Sequence, residues 1–234
     1  MADRIPLVLV PGLLCDEALW AHQTEHLGEV AEPAVVLATG APSIGGVAEQ
    51  VLAAAPARFA LAGLSMGGYV ALEIMRRAPG RVARLALLDT SARPDTPEQT
   101  ALRREMLELV ARGGFGKVMP ASLPKLVHPD RLQDDRLLGV IKGMAARVGE
   151  EAYVRQQTAI IARPDSRPDL ARIRCPTLVL CGRQDALCPV DRHAEMAAAI
   201  PGARLAIIED CGHMAPLERP QAVTALLREW VVYG

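Results

Sequence analysis

Residues 63–67 read Gly63-Leu64-Ser65-Met66-Gly67. They stand between an apolar β-type run, Phe59-Ala60-Leu61-Ala62, and a stretch from Tyr69 to Met75 whose apolar residues recur at helical spacing. A chain that passes from strand to helix over so few residues turns so sharply that the central residue is strained, and only glycine fits two positions to either side of it. The serine hydroxyl is then left exposed at the strand tip. With five serines and 19 glycines in 234 residues, chance produces such a match only roughly 0.03 times per chain. The competing interpretation is that Ser65 only caps the following helix.

The rest of the chain repeats this strand-then-helix alternation. Strand-like runs are expected at Pro6 to Val10, Ala34 to Ala38, Phe59 to Gly63, Val82 to Leu88, Thr177 to Gly182 and Ala203 to Ile208. Helices are expected near Glu17 to Leu27, Ile44 to Ala54, Gly67 to Arg77, Val190 to Ile200 and Gln221 to Trp230. Strands that are wholly apolar rather than alternating, each followed by a helix, imply a mostly parallel sheet of about six strands covered on both faces. Ligands bind such sheets beyond the carboxyl ends of the strands.

One interval breaks the alternation. From Asp89 to Pro176 no strand is evident, although a helical crossover needs only about a dozen residues. The surplus reads as helices at Pro97 to Arg112, Arg131 to Arg147 and Glu150 to Arg163, separated by Gly113-Gly114, by Met119 to Pro129 and by Val148-Gly149. The expected organisation is a core formed by 1–88 and 177–234, with 89–176 as a helical lid over the strand tips. This interval holds 15 Lys and Arg against 12 Asp and Glu, so it is the basic part of a chain whose net charge is −1. Only Phe115 and Tyr153 are aromatic within it.

Composition narrows the partners. Half the residues are apolar, charges are mixed, and no basic footprint marks a nucleic-acid surface. The apolar run from Ile5 to Leu14 is broken by Pro6, Pro11 and Gly12, so neither a membrane span nor an export signal is expected, and a cytoplasmic location follows. Five cysteines, at 15, 175, 181, 188 and 211, lack close metal spacing; buried free thiols are expected, with no metal and no cofactor.

A serine hydroxyl is a poor nucleophile at neutral pH, so a base must take its proton and a carboxylate must orient the base. His213 lies in Asp210-Cys211-Gly212-His213-Met214-Ala215-Pro216, directly after the last strand run. His22, His26 and His193 fall inside helices and His128 in the insertion, so only His213 follows a strand tip. For the acid, Asp185 in Gly182-Arg183-Gln184-Asp185 is favoured, with Asp89 at the end of the Val82 to Leu88 run a competitor and Asp210 a weaker one. Ser65, Asp185 and His213 occur in the chain order expected for a serine elbow. The backbone N–H of Met66, which also opens a helix, and that of Leu13 in Val10-Pro11-Gly12-Leu13-Leu14 are the candidate donors to a developing oxyanion.

Taken together these residues resemble the α/β-hydrolase superfamily over nearly the whole chain. Leu88-Asp89-Thr90-Ser91-Ala92-Arg93 and the Gly-Leu-Ser-Met-Gly-Gly elbow resemble its enol-lactonase and ester-hydrolase branch. Members usually carry His-Gly in the first loop where this chain has Pro11-Gly12, and no leading antiparallel hairpin precedes the strand at residue 6. A serine in the elbow argues against dehalogenases and epoxide hydrolases, whose nucleophile is an aspartate. The resemblance implies a cofactor-free serine hydrolase that cleaves a small carboxylic ester or lactone through an acyl-enzyme on Ser65. The alternatives are a carbon–carbon bond hydrolase or acyltransferase with the same triad, and a non-catalytic ligand-binding protein on the same fold. Oligomeric state is not legible.

Overall fold

The computed structural model describes residues 4–234. Its sheet has six strands, β1 (Ile5–Val10), β2 (Ala31–Val35), β3 (Phe59–Leu64), β4 (Val82–Leu88), β5 (Thr177–Gly182) and β6 (Arg204–Ile208). They run in the order β2-β1-β3-β4-β5-β6, and every pairing is parallel. Parallel strands need crossovers, and these supply α1 (Ala21–His26), α2 (Ile44–Ala54), α3 (Met66–Arg77) and α7 (Val190–Ala199); a short α8 (Ala215–Glu218) and α9 (Pro220–Tyr233) follow the last strand.

Alternation along each strand feeds two separate cores. Leu7 and Leu9 of β1 join Leu64, Leu88 and Leu180 against Trp20, Leu227 and Trp230 on one face. Val8 and Val10 join Leu61, Leu87 and Val179 against Val47, Val70, Ile74 and Met196 on the other. Both faces are buried, which is why β3 and β5 are buried along their whole length and are almost wholly apolar.

The second strand sits three residues earlier than expected. Its paired segment includes Glu32 and Pro33, which the sheet tolerates because β2 is an edge strand with one side free of ladder bonds. Between β4 and β5 lie α4 (Pro97–Ala111), α5 (Val118–Leu126) and α6 (Asp135–Ile161). The expected separator Met119 to Pro129 is largely the helix α5: Pro120 lies in its first turn, where no intrahelical donor is needed, and only Pro124 removes a bond. The break expected at Val148-Gly149 is present, since Gly149 has φ 79 and ψ 173 inside α6.

The end of β4 is tied to α7 by a buried histidine. His193 Nε2 accepts the Thr90 N–H at 2.9 Å, so that nitrogen carries no proton, and Nδ1 faces the Pro189 carbonyl at 3.3 Å. Burial holds its pKa down to about 4. Below pH 6.5 the unfolded chain takes up a proton that the native chain refuses until about pH 4, so stability falls as pH drops through that window, by on the order of 3 kcal/mol. His193→Gln keeps an acceptor for Thr90 but cannot titrate. In denaturant unfolding at stepped pH, the variant is expected to lose less stability than the wild-type protein between pH 6.5 and 4; equal losses would place the acid sensitivity elsewhere.

Candidate active site

Ser65 occupies the turn between β3 and α3 with φ 53 and ψ −114, a region that L-residues avoid. Its side chain makes no capping hydrogen bond, so the capping interpretation does not describe it. The turn closes only because of its glycines: a Cβ at Gly63 would overlap the Gly67 carbonyl, and one at Gly67 would overlap the Val10 carbonyl. The serine backbone is then pinned from the neighbouring strand. Its N–H donates to the Leu88 carbonyl at 3.0 Å, and its carbonyl accepts the Thr90 hydroxyl at 2.7 Å.

The loop after β1 abuts this turn. A Cβ on Gly12 would stand 3.2 Å from the Ser65 Cβ, so the chain around Leu13 passes directly beside the serine. Most N–H groups here are spent: Leu14 donates to Gln156 Oε1 at 3.1 Å, Cys15 to the Gly12 carbonyl, and Gly68 and Tyr69 to the Ser65 carbonyl. Among the described residues the N–H groups of Gly12, Leu13, Met66 and Gly67 meet no acceptor. Gln156, on α6, reaches across to hold Leu14 and also donates to the Ala38 carbonyl at 3.0 Å. Sequence reasoning missed it, because a glutamine on a helix carries no signal of a partner 142 positions away.

His213 and Asp185 are brought together after β6 and β5. His213 Nδ1 lies 3.0 Å from Asp185 Oδ1 and 2.9 Å from Oδ2. The carboxylate accepts, so Nδ1 carries the proton and Nε2 presents a lone pair. Asp185 Oδ1 also accepts the N–H groups of Leu187 and Cys188, each at 2.9 Å. Burial acts to raise the pKa of Asp185, but the imidazole and these donors outweigh it and hold the group below its ordinary value. Both residues are buried, whereas Ser65 is half-buried. No hydrogen bond joins the serine hydroxyl to His213.

Asp89 stands differently. It is fully buried, Oδ1 accepts the Gly182 N–H at 3.0 Å, and Oδ2 has no partner. Burial first, and then the charge of Asp185, hold its pKa well above the ordinary carboxylate range. Asp210 is exposed and pairs with Arg219.

Donor atoms of Asp185, Cys188 and His213 lie within 4.8 Å of one another. The imidazole Nδ1 is committed to Asp185, and burial pushes the Cys188 thiol far up, so the thiol keeps its proton. All five cysteines are free. Around the Leu13 loop the insertion contributes Met106, Val110, Phe115, Val118 and Tyr153, an apolar cluster seated on Leu13 and Leu14.

Residues 7–226 match the alpha/beta hydrolase family. A pimeloyl-[acyl-carrier protein] methyl ester esterase from Aromatoleum aromaticum is 30% identical over 98% of this chain and 99% of its own length. Among solved structures, a thermophilic esterase from Thermogutta terrifontis superposes with a TM-score of 0.89 at 32% identity, covering 97% of this chain and 89% of that one. The enol-lactonase from Burkholderia xenovorans also superposes at 0.89, with 27% identity over 98% and 92%. The chain belongs to the alpha/beta hydrolase family and is a hydrolase. Among the described residues no helix is long and apolar enough to cross a membrane.

The turn geometry generates a direct expectation. Gly67→Ala forces its new methyl group into the Val10 carbonyl, a backbone atom that cannot step aside. It is expected to cost about 3 kcal/mol and to lower Tm by roughly 10 °C. Thermal unfolding checks this; a Tm within about 2 °C of wild type would mean that β1 does not close against the turn.

Proposed function

We propose that the protein is a cofactor-free serine hydrolase that cleaves a small carboxylic ester or lactone through an acyl-enzyme on Ser65. The observation that carries the reading is the pairing of a strained serine turn with two backbone N–H groups, Leu13 and Met66, that have no acceptor among the described residues. A buried unsatisfied donor costs free energy in the resting protein. Free donors on Leu13 and Met66 beside one serine suit a developing oxyanion, and Met66 adds the positive end of α3.

In this reading His213 Nε2 takes the Ser65 proton as the hydroxyl attacks the carbonyl, and returns it to the leaving alcohol. Water then attacks the acyl-enzyme with the same base assisting. Asp185 keeps the imidazole in the tautomer that the attack requires. The helical insertion serves as the lid, its apolar cluster closing over Leu13 and Leu14. The esterase and enol-lactonase names of the relatives support the same bond class.

The roles make a ranked set of variants. Ser65→Ala and His213→Ala are each expected to lower turnover of a chromogenic short-chain ester by about 10⁴-fold, and the double variant little further. Asp185→Asn is expected to cost about 10⁴-fold by favouring the wrong tautomer, and Asp89→Asn less than about tenfold. A mass shift at Ser65 after phosphonate treatment checks the nucleophile directly. Multiplying losses, or the reverse ranking of the two aspartates, would refute the assignment.

Arg93, Arg103 and Arg104 are the cations of the basic insertion that could receive a substrate carboxylate, and the first two are already engaged. Arg93 binds both oxygens of Glu195 at 2.8 and 2.9 Å, and Arg103 binds the buried Asp95 at 2.6 Å; Arg104 is exposed. The substrate is therefore read as a neutral ester. In matched esters differing by a distal carboxylate, kcat/KM is expected to differ by less than about threefold, with no dependence on ionic strength. A salt-sensitive advantage for the anionic ester would reverse this.

A further inference from the structure

His213 sits in a loop with no regular structure, and its ring must be placed to a fraction of an ångström. Asp185 orients the ring through Nδ1 but does not hold the main chain that carries it. A second carboxylate does. Glu218, at the end of α8, is only 3% exposed, and its side chain points back into the His213 loop. Its Oε1 accepts the Gly212 N–H at 3.0 Å and the Met214 N–H at 3.2 Å, the two residues on either side of His213. Its Oε2 accepts the His128 N–H at 2.7 Å, from the insertion.

The remaining N–H of the loop is that of His213 itself, which donates to the Leu126 carbonyl at 3.0 Å. The three residues 212–214 thus place every backbone donor on either Glu218 or the chain at 126. The carboxylate of Glu218 makes no ion pair among the described residues; the nearby Arg131 donates to its main-chain carbonyl instead, at 3.0 Å. Charge-assisted bonds from buried N–H groups are among the stronger ones available, and removing the acceptor strands the donors.

We propose that Glu218 is the positioning residue of His213, fixing the base's backbone from both sides and locking it to the insertion; this rests on His213 being the base. Arranged so, the carboxylate touches no substrate and acts only through the histidine. Its removal should slow the chemical step rather than weaken substrate binding. Glu218→Gln keeps one acceptor oxygen but turns an amide toward an N–H group, so one tether is lost; Glu218→Ala loses all three.

The experiment is a double-variant cycle on a chromogenic short-chain ester, with unfolding curves confirming that each protein is folded at the assay temperature. Glu218→Gln is expected to lower kcat by about tenfold and Glu218→Ala by about 10²-fold, with KM changed by less than about threefold. In the His213→Ala background Glu218→Gln is expected to change the residual rate by less than about twofold, because its target is gone. If Glu218→Ala does not fold, the Gln cycle alone decides. Losses that multiply in the cycle, or a kcat per folded molecule unchanged by Glu218→Gln, overturn the positioning role. A His213→Ala protein with full turnover overturns the base assignment beneath it, and the same cycle reports that separately.

Discussion

Ser65 is held at φ 53 and ψ −114, and most of what surrounds it exists to keep it there. A conformation of that kind costs on the order of 1–3 kcal/mol and persists only where neighbours leave no alternative. Here the Leu88 carbonyl accepts the serine N–H and the Thr90 hydroxyl donates to the serine carbonyl, so the tip of β4 grips the turn from the side. That tip is itself braced: Asp89 accepts from Gly182 at the end of β5, and Thr90 donates to His193 on α7. Three strand ends and one helix thereby form a single hydrogen-bonded frame. The parallel sheet makes this possible, since only there do β3, β4 and β5 all end at the same edge.

Two aspartates lie near this edge, and their surroundings push them apart. Asp185 receives two backbone donors and an imidazole, which favour its charged form against burial. Asp89 receives one donor and faces the charge of Asp185, which favours the neutral form. Like charges in a dry site disfavour joint ionisation, so one carboxyl is free to orient a base while the other serves as a strut whose Oδ2 has no partner. The same negative field, together with burial, keeps Cys181, Cys188 and Cys211 protonated. Structural thiols and a charged acid thus coexist within one small volume.

The sequence made the architecture legible wherever both faces of an element are buried. β3, β4 and β5, with β1 close behind, were readable from apolar runs, and the placement of Ser65, Asp185 and His213 after β3, β5 and β6 followed from such runs. Legibility failed where local rules are relaxed. The edge strand β2 tolerates Glu32 and Pro33, so hydropathy pointed to the wrong residues; α5 carries two prolines in a short helix, so breaker signals outweighed a real one. It failed again for polar residues whose purpose is distant. Gln156, His193 and Glu218 look ordinary in sequence, and each acquires its meaning from a backbone group 90 to 142 positions away or, for Glu218, also from its own loop.

The insertion is bound to the core on two sides, and this limits what it can do. One side is apolar, where Phe115, Val118 and Tyr153 rest on Leu13 and Leu14. The other is a backbone seam, where residues 126–128 bond to His213 and to the carboxylate of Glu218. Gly212 belongs to that seam, for a Cβ there would stand 2.6 Å from the His128 nitrogen. Apolar contacts are non-directional and tolerate sliding, whereas a buried seam of N–H donors does not, because each displaced donor is left without water or partner. Near Gly149 α6 is interrupted, yet this side also carries buried directional bonds, since Gln156 on the same helix accepts the Leu14 N–H and donates to the Ala38 carbonyl.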